Sequence, residues 1–170
     1  GKNSADTVII ENCCNTAVVT AQNWAGGIAG YISNGHADTA QIRNCYNTGT
    51  VVTIPNEGRG QYAGTVYGGI TGVIDRAVTV ENCYNTGTVS ASDNYVGGVV
   101  GQNGSSGTVT NCYNTGAVTG KAYVGGVAGE NHGTVDKCYY LADSETDSID
   151  GTTAKTAAAF ANGEVAYLLN

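Results

Sequence analysis

Five of the six cysteines, Cys13, Cys45, Cys83, Cys112 and Cys138, recur at separations of 32, 38, 29 and 26 residues. Thiols can ligate a metal, pair as disulfides or act as nucleophiles, and the spacing bears on each. Zinc sites draw cysteines from short spacings such as Cys-x-x-Cys, whereas here each separation is a whole structural unit. Side chains stacked in parallel register rarely present the torsion that a disulfide requires. The pattern therefore predicts a column of reduced, buried thiols, Cys being among the most buried residue types. The sixth, Cys14, stands where the other copies have Tyr46, Tyr84, Tyr113 and Tyr139.

Other chemistry-bearing residues are sparse. His36 and His132 fall in different units at different repeat positions, and no nucleophile-elbow phrase accompanies them. Two positions before each repeat cysteine the chain reads Glu11, Arg43, Glu81, Thr110, Asp136. Alternating sign over the first three describes a solvated ladder of ion pairs, each contributing ~0.2–1 kcal/mol, more than the facing carboxylates of a glycoside hydrolase. Asp143, Glu145, Asp147 and Asp150 could gather oxygen ligands for calcium, but their spacing fits no EF-hand loop and reads as a solvated loop. No catalytic residue, metal or cofactor is expected. Trp24, Tyr95 and Tyr123, each two before a Gly-Gly, together with Tyr62 and Tyr67, could offer a carbohydrate platform; their periodicity favours a stacked aromatic column, interrupted by Val66.

These residues are carried by two alternating phrases. Asn-Cys-Tyr-Asn-Thr-Gly occupies residues 44–49, 82–87 and 111–116, with degenerate copies at 12–17 and 137–142. Gly-Gly-aliphatic-x-Gly occupies 26–30, 68–72, 97–101 and 125–129. Units of this length cannot bury their own apolar face and must stack on neighbours. Apolar columns precede the cysteine by three (Ile10, Ile42, Val80, Val109, Val135) and follow it by six (Val19, Val51, Val89, Val118). Short β-rich pieces between Asn and Gly turns read as strands, and no unit shows a helical period. The expected fold is all-β: a right-handed parallel β-helix, or β-solenoid, of about five coils, each with three short strands and three corners at about 26 residues. Asn and Gly would supply left-handed corners.

The solenoid is expected over residues 1–142, and an acidic loop with a helical cap over 143–170. Residues 152–170 read as helix, with Thr153 or Thr156 as N-cap and a break at Asn162 and Gly163. Phe160, Val165, Tyr167, Leu168 and Leu169 would cover the open sheet edge.

Of 170 residues 26 are Gly, about twice the usual ~7%, and their periodicity marks turns, not disorder. A net charge of −7 with 7 Lys and Arg argues against nucleic-acid binding, which rests on neutralising phosphates. No apolar run approaches the ~20 residues that span a bilayer. A start at Gly1, without initiator Met or signal sequence, reads as a piece of a longer polypeptide. Two units carry insertions, at residues 33–41 and 53–65, the second holding the single proline, Pro55. Regular positions are committed to stacking, so any ligand is expected at these loops, through Glu57, Arg59, Gln61, Tyr62 and His36.

The phrases at 27–30, 69–72, 98–101 and 126–129, each followed by the Asn-Cys-Tyr phrase, resemble the GLUG repeat. The resemblance covers residues 9–140, and residues 155–170 look like the segment that closes such arrays. It implies an extracellular setting in large exported bacterial surface proteins, among them adhesin-like proteins and IgA-specific metallopeptidases. No chemistry follows from it, and the His-Glu-x-x-His zinc motif of a peptidase is absent from the chain. The expectation is a non-enzymatic adhesion or spacer element of a bacterial surface protein, joined to other domains of its parent and meeting a host or cell-surface glycan or protein. The alternatives are a glycan-binding module that uses the insertion loops and an ice-binding solenoid that uses the column Thr16, Thr48, Thr86, Thr115.

Overall fold

A computed structural model describes residues 7–33, 39–54, 65–92, 94–142 and 151–169. Every strand pairing in it is parallel and joins one coil to the next. The repeat alignment read from the cysteines is the register observed: Ile10 lies beside Ile42, Ile42 beside Val80, Val80 beside Val109 and Val109 beside Val135. The architecture is a parallel β-solenoid with four coils and the start of a fifth.

Among the described residues each complete coil contributes five short strands, not three. They build five stacked sheets, whose strands in the first coil are Thr7–Glu11, Cys14–Asn15, Val19–Ala21, Trp24–Gly26 and Ala29–Ser33. The Asn-Thr-Gly and Gly-Gly phrases bend the chain after only two to five residues, and each bend divides one expected strand into two.

The left-handed corners fall to Asn more than to Gly. Asn12, Asn44, Asn82 and Asn111, immediately before the cysteines, have φ of 52–55°, and Lys137 in the last copy has 48°. Among the described glycines only Gly151 and Gly163 have positive φ. The repeat glycines serve close approach instead. A Cβ on Gly69 would stand 2.1 Å from the Gly98 carbonyl oxygen and 2.4 Å from Cγ of Asn85. Gly27 meets Asn47, Gly98 meets Asn114 and Gly126 meets Tyr140 in the same way.

This contact is a waist in the coil. On one side lies an apolar column containing Ile42, Ile70, Ile74, Val80 and the buried cysteines. On the other lies a smaller one containing Val51, Tyr67, Val89, Val96 and Val118. Between them runs a buried amide ladder: Asn15 Nδ2 donates to Asn47 Oδ1 (2.8 Å), Asn47 to Asn85 (2.7 Å) and Asn85 to Asn114 (2.8 Å). Each amide also bonds its own backbone two residues on, as Asn85 does with both the N–H (3.2 Å) and the carbonyl (2.7 Å) of Gly87. A buried primary amide leaves unmade bonds expensive, and here the repeat spacing itself supplies the partners.

The cysteine column is a thiol ladder in four rungs, not five. Cys45, Cys83, Cys112 and Cys138 are buried and unbridged, whereas Cys13, with no described coil beneath it, is exposed. Each buried thiol donates to the carbonyl two residues earlier, Cys45 to Arg43 at 3.1 Å and Cys112 to Thr110 at 3.1 Å. Burial pushes the Cys45 thiol up to about 11 and holds Cys112 well above the ordinary thiol range. On the outer face the neighbouring tyrosines stack, Tyr46 on Tyr84 at 5.0 Å and Tyr84 on Tyr113 at 5.1 Å, with planes within 4° of parallel.

The chain closes differently from a simple helical tail. Thr152–Lys155 is a strand that pairs in parallel with Cys138–Leu141 and adds a sixth member to the second sheet. The demand of an open strand edge outweighs the helical tendency of the flanking alanines, and Thr152 and Thr153 are themselves β-formers. Helix α1, Ala157–Ala161, then starts at the N-cap Thr156, whose hydroxyl accepts the Ala159 N–H at 3.2 Å. The chain breaks at Asn162 and Gly163 before α2, Glu164–Leu168. Val165 and Ala159 bury against Tyr139, with Phe160 and Leu169 packed at the side. Tyr167, in contrast, is fully outside the cap contact, exposed to solvent. Residues 143–150, with the acidic run, lie outside the described residues.

Candidate functional site

The residues expected to bind a ligand, His36, Glu57, Arg59, Gln61 and Tyr62, all lie outside the described residues. The described parts still fix where their segments are rooted. The first leaves from Ser33, whose hydroxyl bonds Asp75 in the wall of a cleft, and the second returns at Thr65 beside Val66, which lines the same cleft.

That cleft, of ≈ 390 Å³, is lined by Trp24 and Tyr31 of the first coil, Val66, Val73 and Asp75 of the second, and Gln102 of the third. Its origin is legible in the stacking. Trp24 is in register with Val66, and Tyr31 with Val73, which is in register with Gln102. Val66 and Val73 are buried. Two small aliphatic residues in the second coil thus leave a depression beside the large side chains of the first. Trp24 and Tyr31 stand half exposed, at 50% and 45%, with ring centroids 5.3 Å apart and planes inclined by 38°.

A fixed carboxylate completes the wall. Asp75 Oδ2 accepts the Tyr31 hydroxyl at 2.8 Å and the Ser33 hydroxyl at 3.3 Å, and the Arg76 Nε lies 3.7 Å away. Oδ1 of Asp75 has no partner among the described residues. The hydrogen bond to Asp75, aided by burial, raises the Tyr31 phenol above its ordinary range, so it remains a donor at neutral pH. Arg76 has φ of 64°, and the Val78 N–H bonds back to its carbonyl at 2.9 Å. That tight turn holds the guanidinium next to the carboxylate. Gln102 donates its amide to Glu130, whose Oε1 lies 3.4 Å from Nε2 of His132.

The other described sequence candidates do not line the cleft. Tyr95 and Tyr123 stack on each other at 4.9 Å, while Tyr67 is buried with its hydroxyl 3.4 Å from the Ala21 carbonyl. The charge column yields one pair, Arg43 with Glu11 at 2.6 Å, both partly exposed. Thr16, Thr48 and Thr86 are exposed in a single row. Among the described residues no group of three His, Cys, Asp or Glu is placed to hold a metal ion, and no helix is long and apolar enough to cross a membrane. Sequence reasoning noticed Val66 as the break in the aromatic column but missed that Val73 repeats it in the next strand; the two together make the cleft.

The fold and the waist define a class, a parallel β-solenoid whose coil pairs one Gly-Gly with one Asn-Cys-Tyr-Asn-Thr-Gly. The model of the GLUG motif matches residues 25–52 and 92–119; the chain carries that motif in at least two of its coils. Each matched stretch contains one complete waist, Gly27 with Asn47 and Gly98 with Asn114. No curated protein and no solved structure matches the chain.

Proposed function

We propose that this repeat module is a non-enzymatic extracellular element of a bacterial surface protein, serving to space and present an adhesive face. The observation that carries the reading is the commitment of the interior to stacking. The Asn47 and Asn85 amides, the four buried thiols and the inward valines are spent on coil-to-coil contacts, which makes a stacked scaffold, while the cleft lies at the rim where Ser33 and Val66 lead to the insertions. Ligand sites on scaffolds favour such rims. The GLUG motif adds the surface setting by resemblance. The test displays the chain, as part of its parent, and asks whether intact cells present it to antibody and protease and whether its deletion reduces attachment to host cells. A module inaccessible on intact cells, or a deletion that leaves attachment unchanged, defeats the reading. Glycan binding is the more specific form of adhesion, and the paired aromatics at Trp24 and Tyr31 favour it.

A further inference from the structure

The cleft beside the second coil combines features that meet nowhere else among the described residues: two half-exposed aromatic faces, an aliphatic floor and a fixed carboxylate with an unengaged oxygen. Aromatic rings take up the apolar C–H face of a sugar ring, and a few placed polar groups at the edge orient it. Trp24 and Tyr31, inclined at 38° and 5.3 Å apart, make an angled platform, not a flat stack closed on itself. The Trp24 indole N–H has no partner among the described residues and is a donor for a hydroxyl or ring oxygen. Asp75 Oδ1 is an acceptor for one or two hydroxyls, and its charge strengthens such bonds. Its position does not depend on the ligand, because Tyr31, Ser33 and Arg76 already hold Oδ2.

From this geometry we infer that the cleft is a carbohydrate-binding site for a neutral hexopyranose in an oligosaccharide, with Trp24 and Tyr31 as the stacking platform and Asp75 as the hydroxyl acceptor. Charge selects against acidic sugars: Asp75 is the one charged side chain among the described residues that line the cleft, in a chain of net charge −7. Size limits the occupant as well. A volume of ≈ 390 Å³ stands at the small end of the ~300–1,000 Å³ of ligand clefts, which suits one or two rings of a longer chain. The inference rests on the adhesive reading above and gives it a ligand class and a set of residues, Trp24, Tyr31 and Asp75, other than Arg59 and Tyr62.

Trp24 is the one tryptophan of the chain, so its fluorescence reports the cleft directly. The experiment titrates the full chain with lactose, cellobiose and maltotriose, with sialyllactose as the acidic comparison, and screens a glycan array in parallel. A saturable shift of Trp24 emission with at least one neutral sugar, weaker or absent with sialyllactose, is expected. Tyr31→Ala and Asp75→Asn should each weaken binding at least tenfold while the thermal midpoint stays within a few degrees, and Trp24→Ala should abolish array binding. No neutral glycan bound, a preference for the acidic sugar, or unchanged affinity in Asp75→Asn would overturn the site. So would loss of binding in Arg59→Ala/Tyr62→Ala together with full binding in Trp24→Ala. Cells that attach to deglycosylated host protein with no glycan response at Trp24 overturn the site and leave adhesion standing; attachment to neither surface removes both.

Discussion

Gly69 at the end of the second coil and Asn85 in the third face each other across the interior of the solenoid, so close that a methyl group on the glycine would fall 2.4 Å from the amide carbon. The pair explains why the two repeated phrases travel together: the Gly-Gly makes room, and the Asn-Thr-Gly fills it with an amide whose bonds run up and down the stack. Gly69→Ala should therefore cost about 3 kcal/mol or more, at or above the usual range for overpacking, because the Gly98 carbonyl oxygen at 2.1 Å is backbone and cannot swing aside. Chemical denaturation measures it. A loss under about 1 kcal/mol would show that the coils breathe enough to accept a Cβ, and that the glycine is retained for another reason.

The thiols give an independent check on register. In native buffer an alkylating reagent should modify Cys13 and Cys14, the two exposed cysteines, and spare Cys45, Cys83, Cys112 and Cys138; in denaturant without reductant all six should react. Mass spectrometry resolves the sites. Protection of Cys13 in the native state would mean that its coil is covered in solution, and failure of the buried four to react in denaturant would mean that they are bridged.

Columns were readable because a repeat prints each contact several times. Ile42, Val80 and Val109 sit at one offset from the cysteine, and that offset became the observed register without adjustment. The number of strands was not readable, since a two-residue strand such as Tyr46–Asn47 has no period to detect. The role of glycine was misassigned for a related reason: a Gly chosen for positive φ and a Gly chosen for contact with the coil opposite look the same in sequence, and only Asn85 lying against Gly69 distinguishes them. The strand Thr152–Lys155 was hidden because an edge held by backbone bonds leaves little side-chain pattern. As for the cleft, it depends on what is absent, Val66 and Val73 where neighbours are larger, and an absence repeated once is a faint signal.

Alkaline pH should destabilise the protein through the raised thiols Cys45 and Cys112, whereas Cys83 and Cys138, held below their ordinary range by their hydrogen bonds to Cys112, act in the opposite sense. The Cys45 thiol has its proton held by burial, from an ordinary 9.0 to about 11. The folded state thus binds the proton more tightly than the unfolded state, so this contribution is complete below pH ~9 and is lost as pH rises toward ~11. The urea midpoint should fall across that window. Tyr113, whose phenol is also raised by burial, adds to the fall, so Cys45→Ala is the informative comparison: its midpoint, lower at pH 8 because of the cavity, should decline less steeply from there to pH 11. Parallel declines would assign the alkaline loss to other groups.

The last prediction concerns the closing helices. Removing residues 157–170 deletes Ala159, Val165, Phe160 and Leu169 from the cluster around Tyr139 and takes away Glu164, whose carboxylate bonds Lys155 at 2.6 Å. The exposed ion pair contributes little, whereas the buried apolar side chains contribute several kcal/mol at ~25 cal/mol per Å². Thr152–Lys155 would remain as an outer strand of the second sheet, with one edge unpaired and the Tyr139 ring uncovered. Such an edge templates pairing with another chain, and a capping unit is what keeps a solenoid soluble. The truncated chain should melt lower and elute as concentration-dependent oligomers in size-exclusion chromatography with light scattering, while Val165→Asp in the full chain should reproduce the effect by charging the buried face of α2. A truncated chain that stays monomeric and as heat-stable as the parent would show that the sixth strand alone closes the array.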